Sequence, residues 1–282
     1  MAALVPSFIS LLSQFSRIII RHSSSKSYDV KKLIIPLPKT SHIVLSNEVV
    51  RDRKLFFIGD VHGCLDELKE LLQKVNERFS TEEYLPIFVG DLVNKGPENV
   101  GSLQYVRNLE HFAVKGNHDA AALREVLMIE KHNDYDPPAR WQWVKGLNCD
   151  DIDYLKELPY TLSFPDFNAI VVHAGLLPKV DLENQSIKDM ILMRNIVELD
   201  AENYQSAESL DQGKPWASLW PGPEHIYFGH DARRKFQSYE FATGLDTGCV
   251  YGNQLTGLLL DKDGTKEIIQ VQAKSVYQKP TG

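Results

Sequence analysis

Cysteine is scarce in this 282-residue chain, and the three present, Cys64, Cys149 and Cys249, are odd in number and widely spaced. They provide neither a disulfide framework nor a CxxC metal pair, and a reducing compartment suits them best. No stretch approaches about 18 consecutive apolar residues, so no transmembrane span is expected. Positive charge is also short: 31 Lys and Arg against 38 Asp and Glu give a net charge of -7. A general nucleic-acid or acidic-membrane surface is therefore not expected, and any anionic ligand must be drawn by a local positive site. Internal repeats are lacking, and low complexity is confined to the N-terminus. The 43% hydrophobic and 24% charged fractions are those of a soluble globular protein.

Residues 1–28 lack Asp and Glu, carry Arg17, Arg21 and Lys26, and include Ser23, Ser24 and Ser25. Leu4, Phe8, Leu11, Leu12, Phe15, Ile18 and Ile19 recur at helical spacing. This composition predicts a mitochondrial presequence, with a merely disordered N-terminus as the alternative. No charge precedes the apolar part, which disfavours a secretory or vacuolar signal and leaves the cytoplasm as the other destination. The expected organisation is a linker over 29–50, a main domain over 51–275 and a tail over 276–282. Two helical, lid-like insertions are expected at about 132–165, with Trp141 and Trp143, and 176–223, with Trp216 and Trp220.

From about residue 50, β-branched and aromatic runs alternate with helical segments, which predicts an α/β domain. Leu55–Ile58, Leu85–Val89, Phe112–Val114, Ala169–Val172 and Ile226–Phe228 read as strands, and Leu65–Phe79 and Asp119–Met128 as helices. Leu255–Val271 reads as a hairpin around Asp263-Gly264.

Each strand runs into residues of metal-ligand type: Gly59-Asp60-Val61-His62-Gly63, Gly90-Asp91, Gly116-Asn117-His118-Asp119, His173-Ala174-Gly175 and Gly229-His230-Asp231. Taken singly, a Gly-Asp after a strand is more often a turn with a helix cap, and Asp119 itself reads as a cap. Five together at strand carboxyl ends predict convergence on one crevice. Carboxylate, imidazole and amide donors suit Mn first, with Fe, Zn, Co or Mg as alternatives. Six donors exceed one tetrahedral site and suit two divalent ions about 3.5–4 Å apart, with Asp91 the candidate bridge.

At these motifs, and at Gly90-Asp91-Leu92-Val93-Asn94-Lys95-Gly96-Pro97, the sequence resembles the calcineurin-like metallophosphoesterases, specifically their phosphoprotein-phosphatase branch. The resemblance implies a β-sandwich flanked by helices. It implies one ion on Asp60, His62 and Asp91, and another on Asp91, Asn117, His173 and His230. His118 would protonate the leaving oxygen, oriented by Asn94, and Lys95 and Arg194 would bind the phosphoryl group. Protein phosphatases of the branch carry Asp-Arg where this chain has Asn94-Lys95. The run Gly244 to Gly252, continuing to Leu255-Thr256, resembles bacterial symmetrical diadenosine tetraphosphatase and the ApaH-like phosphatases. The implied substrate is a small phosphoanhydride: a dinucleoside polyphosphate, an RNA 5′ cap or polyphosphate. The alternatives are a protein serine/threonine or tyrosine phosphatase and a non-catalytic metal-binding scaffold.

Overall fold

A computed structural model describes residues 19–21, 36–200 and 203–280. Its strands are β1 (Ile19–Arg21), β2 (His42–Val44), β3 (Lys54–Ile58), β4 (Tyr84–Phe88), β5 (Phe112–Ala113), β6 (Thr161–Phe164), β7 (Ala169–Val172) and β8 (Asn195–Glu198). There follow β9 (Tyr204–Ala207), β10 (Lys214–Pro215), β11 (His225–Phe228), β12 (Gln237–Ser238), β13 (Ala242–Gly244), β14 (Gln254–Leu260) and β15 (Lys266–Gln272). The α-helices are α1 (Asn47–Val50), α2 (Leu65–Asn76), α3 (Asn99–Arg107), α4 (Asn117–Lys131), α5 (Cys149–Glu157) and α6 (Ile187–Leu192).

The apolar runs become central strands because both of their faces are covered. All five residues of β4 are buried, as expected of a parallel strand between two layers. β3, β4 and β5 run parallel, and the β14–β15 hairpin completes a sheet in the order β15-β14-β3-β4-β5. A second sheet has the order β1-β2-β6-β7-β11-β13-β12, with β7, β11 and β13 parallel. The two sheets pack face to face: Phe57 of β3 stacks on Tyr227 of β11 at 3.9 Å between ring centroids. Phe57 also meets Phe164 of β6 edge-on at 6.3 Å. Such aromatic pairs carry much of the apolar burial that holds a sandwich closed. The expected β-sandwich flanked by helices is thus the observed fold.

A second buried cluster, containing Met190, Met193, Ile226, Phe228 and Trp216, lies on the other side of the β11 sheet. It seats the 176–223 segment, whose character differs from the helical one expected. Alongside α6 it forms a small antiparallel sheet, β10-β8-β9, because Asn195–Glu198 pairs with Tyr204–Ala207. The 132–165 segment holds a 3-10 helix at Ala139–Gly146 and α5, but ends in β6, which joins the large sheet between β2 and β7. The stretch 29–50, expected as a linker, contains β2 and α1, with Ile43, Val49 and Val50 buried. Runs of three or four residues carry too little periodicity to read as elements. The tail is anchored through Tyr277, whose N–H donates to Val250 O. Apart from Ile19–Arg21, the expected presequence lies outside the described residues. Among those, no helix is long and apolar enough to cross a membrane.

Candidate active site

The parallel strands deliver their carboxyl ends to one edge of the sandwich. Asp60 follows β3, Asp91 follows β4, Asn117 opens α4 just after β5, His173 follows β7 and His230 follows β11. The structure brings all six expected ligand residues together there, with His62 beside Asp60. His62 Nε2 lies 3.5 Å from Asp91 Oδ2 and 3.9 Å from Asp60 Oδ2, and His173 Nε2 lies 3.5 Å from Asp91 Oδ1. The backbone is strained to achieve this: His62, Asp91, Asn94, Lys95 and His230 all have positive φ, from 48° to 76°. Non-glycine residues held in that region cluster at functional sites, where the surrounding structure over-determines them. Gly116 is required, since a Cβ there would run into the Asp91 carboxylate.

The histidines reveal their tautomers through their partners. A carbonyl only accepts, so the ring nitrogen facing it carries the proton. His62 donates from Nδ1 to Val93 O at 3.2 Å, His173 from Nδ1 to Val89 O at 2.8 Å, and His230 from Nε2 to Leu192 O at 3.1 Å. Each ring thereby turns a bare nitrogen inward, the arrangement that backbone partners impose on metal-binding imidazoles. Burial keeps all three rings neutral: His173 is pushed down to about 4, and His62 and His230 well below the usual histidine value. The bare nitrogens of His173 and His230 each lie 3.0 Å from Asn117 Oδ1. Three acceptors thus converge with no proton among them, an arrangement that a cation satisfies.

The carboxylates point the same way. Burial, then the nearby Asp246 and Asp91, raises Asp60 well above the carboxylate range, and burial lifts Asp91 to about 7. Oxygen and nitrogen donors crowded at such proximity fit divalent ions. Asp119 does cap α4, accepting from Gly116 N–H at 2.9 Å. It also accepts from Asp91 N–H at 2.8 Å and Leu92 N–H at 3.0 Å, so the same carboxylate organises the Asp91 loop. Helix α4 starts at Asn117, two residues earlier than expected, which puts Asn117 and His118 in its first turn. The His118 N–H donates to Asp91 Oδ1 at 2.8 Å.

The second group of expected residues is also gathered here. Asn94 Nδ2 lies 2.8 Å from His118 Nδ1. Lys95 Nζ lies 3.1 Å from His62 Nε2, and 5.4 Å above the Tyr251 ring. Arg194 is held by Glu208 O at 3.2 Å and reaches His230 O at 3.5 Å. His118, Lys95 and Arg194 face a groove of about 720 Å³ that is also lined by Arg233, Lys235, Asp246 and Tyr251, and Asn94 is buried behind His118. His118 lies with His62 and Asp91 close enough to share an ion as well. Its contact with Asn94 leaves Nε2 as the nitrogen available to a ligand in the groove. Trp141 and Trp216 are buried in packing, with Trp141 6.2 Å from the His118 ring.

Asp246 was absent from the expected ligands. It follows β13, a sixth strand end, is buried, and is raised by burial while sharing a hydrogen bond with Asp60. Its signal lay within the Asp246-Thr247-Gly248 run, another acid-to-glycine turn, but the three residues Ala242-Thr243-Gly244 announce no strand.

Residues 53–247 match the family model described as calcineurin-like phosphoesterase, and the chain belongs to that family. It is similar to a bis(5′-nucleosyl)-tetraphosphatase PrpE (asymmetrical) of Oceanobacillus iheyensis, 26% identical, over 79% of this chain and 94% of that one. It is likewise similar to a symmetrical bis(5′-nucleosyl)-tetraphosphatase of Coxiella burnetii, 29% identical, over 80% of this chain and 94% of that one. A solved structure described as "a putative diadenosine tetraphosphatase" is 35% identical, with a TM-score of 0.72, over 83% of this chain and 98% of that one. The chain is therefore a hydrolase of phosphoester or phosphoanhydride bonds, from a family that uses divalent metals.

Proposed function

We propose that the chain cleaves phosphoanhydride bonds in dinucleoside polyphosphates. Asp60, His62 and Asp91 would hold one divalent ion, and Asp91, Asn117, His173 and His230 a second. When bound, the ions supply Lewis-acid charge that polarises the phosphoryl group and acidifies water. Lys95 and Arg194 grip the phosphoryl oxygens, and Arg233 and Lys235, on the same groove, neutralise the rest of the polyphosphate chain. A volume of about 720 Å³ accommodates a nucleotide-sized ligand.

The observation that carries the reading is Asn94 against His118. To act as an acid, His118 needs an acceptor at Nδ1, and Asn94 offers one by turning its amide so that Oδ1 faces the ring. An amide contributes no charge, so it stabilises the imidazolium less than a carboxylate would. A departing phosphate needs little help from a proton, whereas the alkoxide of serine needs much. The neutral orienter thus suits anhydride cleavage better than phosphoserine hydrolysis.

The relatives include symmetrical and asymmetrical enzymes, so the test is product analysis. Pure protein loaded separately with Mn, Mg, Co and Zn is given diadenosine tetraphosphate, capped RNA, polyphosphate and phosphopeptides. Expected is fastest turnover of the dinucleotide, yielding two ADP for symmetrical attack or ATP and AMP for asymmetrical attack. Faster release of phosphate from phosphopeptides under every metal would overturn the proposal.

A further inference from the structure

A second group of metal-type donors lies outside the groove. The Cys64 and Cys249 thiols and a Glu67 carboxylate oxygen all lie within 4.8 Å of one another, and all three residues are buried. Glu67 is fully buried. Its Oε1 accepts the Lys274 N–H at 2.8 Å and the Tyr277 hydroxyl at 2.7 Å. Its Oε2 is buried with no hydrogen-bond partner. An unsatisfied carboxylate oxygen costs free energy at such depth, and native interiors supply a proton donor or a cation. Neither thiol makes that hydrogen bond: Cys64 Sγ is directed at His62 O, 4.0 Å away, and the Cys249 thiol shares a hydrogen bond with Cys64.

We propose that Cys64, Cys249 and Glu67 form a binding site for a soft divalent ion of the zinc class, distinct from the catalytic donors. Two thiolates and one carboxylate are the donor types that such an ion selects, whereas the oxygen- and imidazole-rich groove suits harder ions. Two thiolates and a carboxylate carry three negative charges, which a divalent ion offsets in a buried place. The location assigns the role. Cys64 directly follows the Asp60-Val61-His62-Gly63 loop, and Cys249 directly follows Asp246-Thr247-Gly248. An ion joining them ties the loop after β3 to the loop after β13. Through Glu67 it also ties both to the Lys274–Tyr277 tail.

Cobalt(II) distinguishes this site from the groove, because only thiolate ligation gives the intense near-ultraviolet sulfur-to-cobalt charge-transfer band. The full chain is purified in reductant, stripped with chelator and titrated with cobalt, then with zinc. Expected are the thiolate band, its loss when zinc displaces cobalt, and zinc in the purified protein beyond that held by a Cys249→Ala variant. Glu67→Gln retains both thiols and should bind zinc at this site at least about tenfold more weakly. Circular dichroism and the groove's own metal binding show whether each variant folds. A folded wild-type chain that gives no thiolate band at saturating cobalt overturns the proposal. So does a mass two hydrogens lower in reductant, which would mean that the thiols pair as a disulfide.

Discussion

Replacing Asp119 by asparagine tests how the groove is assembled with a change of one atom. The carboxylate accepts three backbone N–H groups, from Gly116, Asp91 and Leu92, at 2.8–3.0 Å. The introduced amide could place its oxygen where Oδ2 stands and keep the first two, but its NH₂ would then face the Leu92 N–H. One orphaned buried donor costs about 1–3 kcal/mol, and the two surviving bonds lose the benefit of an ionised acceptor, about 1 kcal/mol each. Part of this returns, because Asp119 is fully buried and lifted to about 7 by burial and by Asp91, so its charge is itself costly. The net expectation is about 2–4 kcal/mol of destabilisation, which a domain of ordinary stability survives. Urea unfolding of wild type and variant, each with saturating metal, measures the stability. Asp91 also shifts with its loop, so kcat/KM should fall by about 10²-fold at saturating metal. Wild-type unfolding midpoint and kcat/KM within twofold would refute this account and reduce Asp119 to an ordinary helix cap.

Three further outcomes are expected. His118→Gln should lower hydrolysis of an alkyl phosphate ester such as phosphoserine by about 10²-fold, but turnover of the dinucleotide anhydride much less, since a departing phosphate needs little help from a proton; equal losses on both would remove His118 as the acid. Lys95→Met should reduce kcat/KM by about 10²–10³-fold, measured by steady-state kinetics, and Lys95→Arg should recover part of it, showing that charge at this place is what matters. His111 is fully buried between Tyr154 Oη at 2.7 Å and Leu109 O at 3.0 Å, and burial pushes its value from 6.5 down to about 4. Its folded value is the lower one, so the unfolded chain binds the proton first. Stability is therefore whole above about pH 6.5 and is lost as pH falls toward 4, by up to about 3 kcal/mol from this residue. Denaturant unfolding across that range should show a shallower acid slope in His111→Gln, and parallel slopes would dismiss the histidine as a cause.

The site was far more legible in the sequence than the sheets that carry it, and the reason is physical. Each of β3, β4, β7 and β11 is a run of four or five mostly apolar or aromatic residues, and each is followed by glycine or a ligand within two positions. Such a break in polarity is local and visible in one chain. Asp246 escaped because β13, Ala242-Thr243-Gly244, is held by its neighbours β11 and β12 and carries no apolar run of its own. The same holds for β8 and β9, which pair with each other and owe their seat to the Trp216 cluster. Which sheet a strand joins is a long-range matter: β7 lies antiparallel to β6 and parallel to β11, and nothing in Ala169–Val172 distinguishes the two edges. The choice is made by contacts such as Phe57 on Tyr227, between residues 170 positions apart. Asn94 and Lys95 show a third limit. Both have positive φ, at 76° and 71°, so the backbone there is set by the loop as a whole. An Asn tolerates that conformation readily and a Lys does not. The strain at Lys95 is retained because it carries Nζ into the groove lined by His118 and Arg194, a reason that only the folded groove supplies.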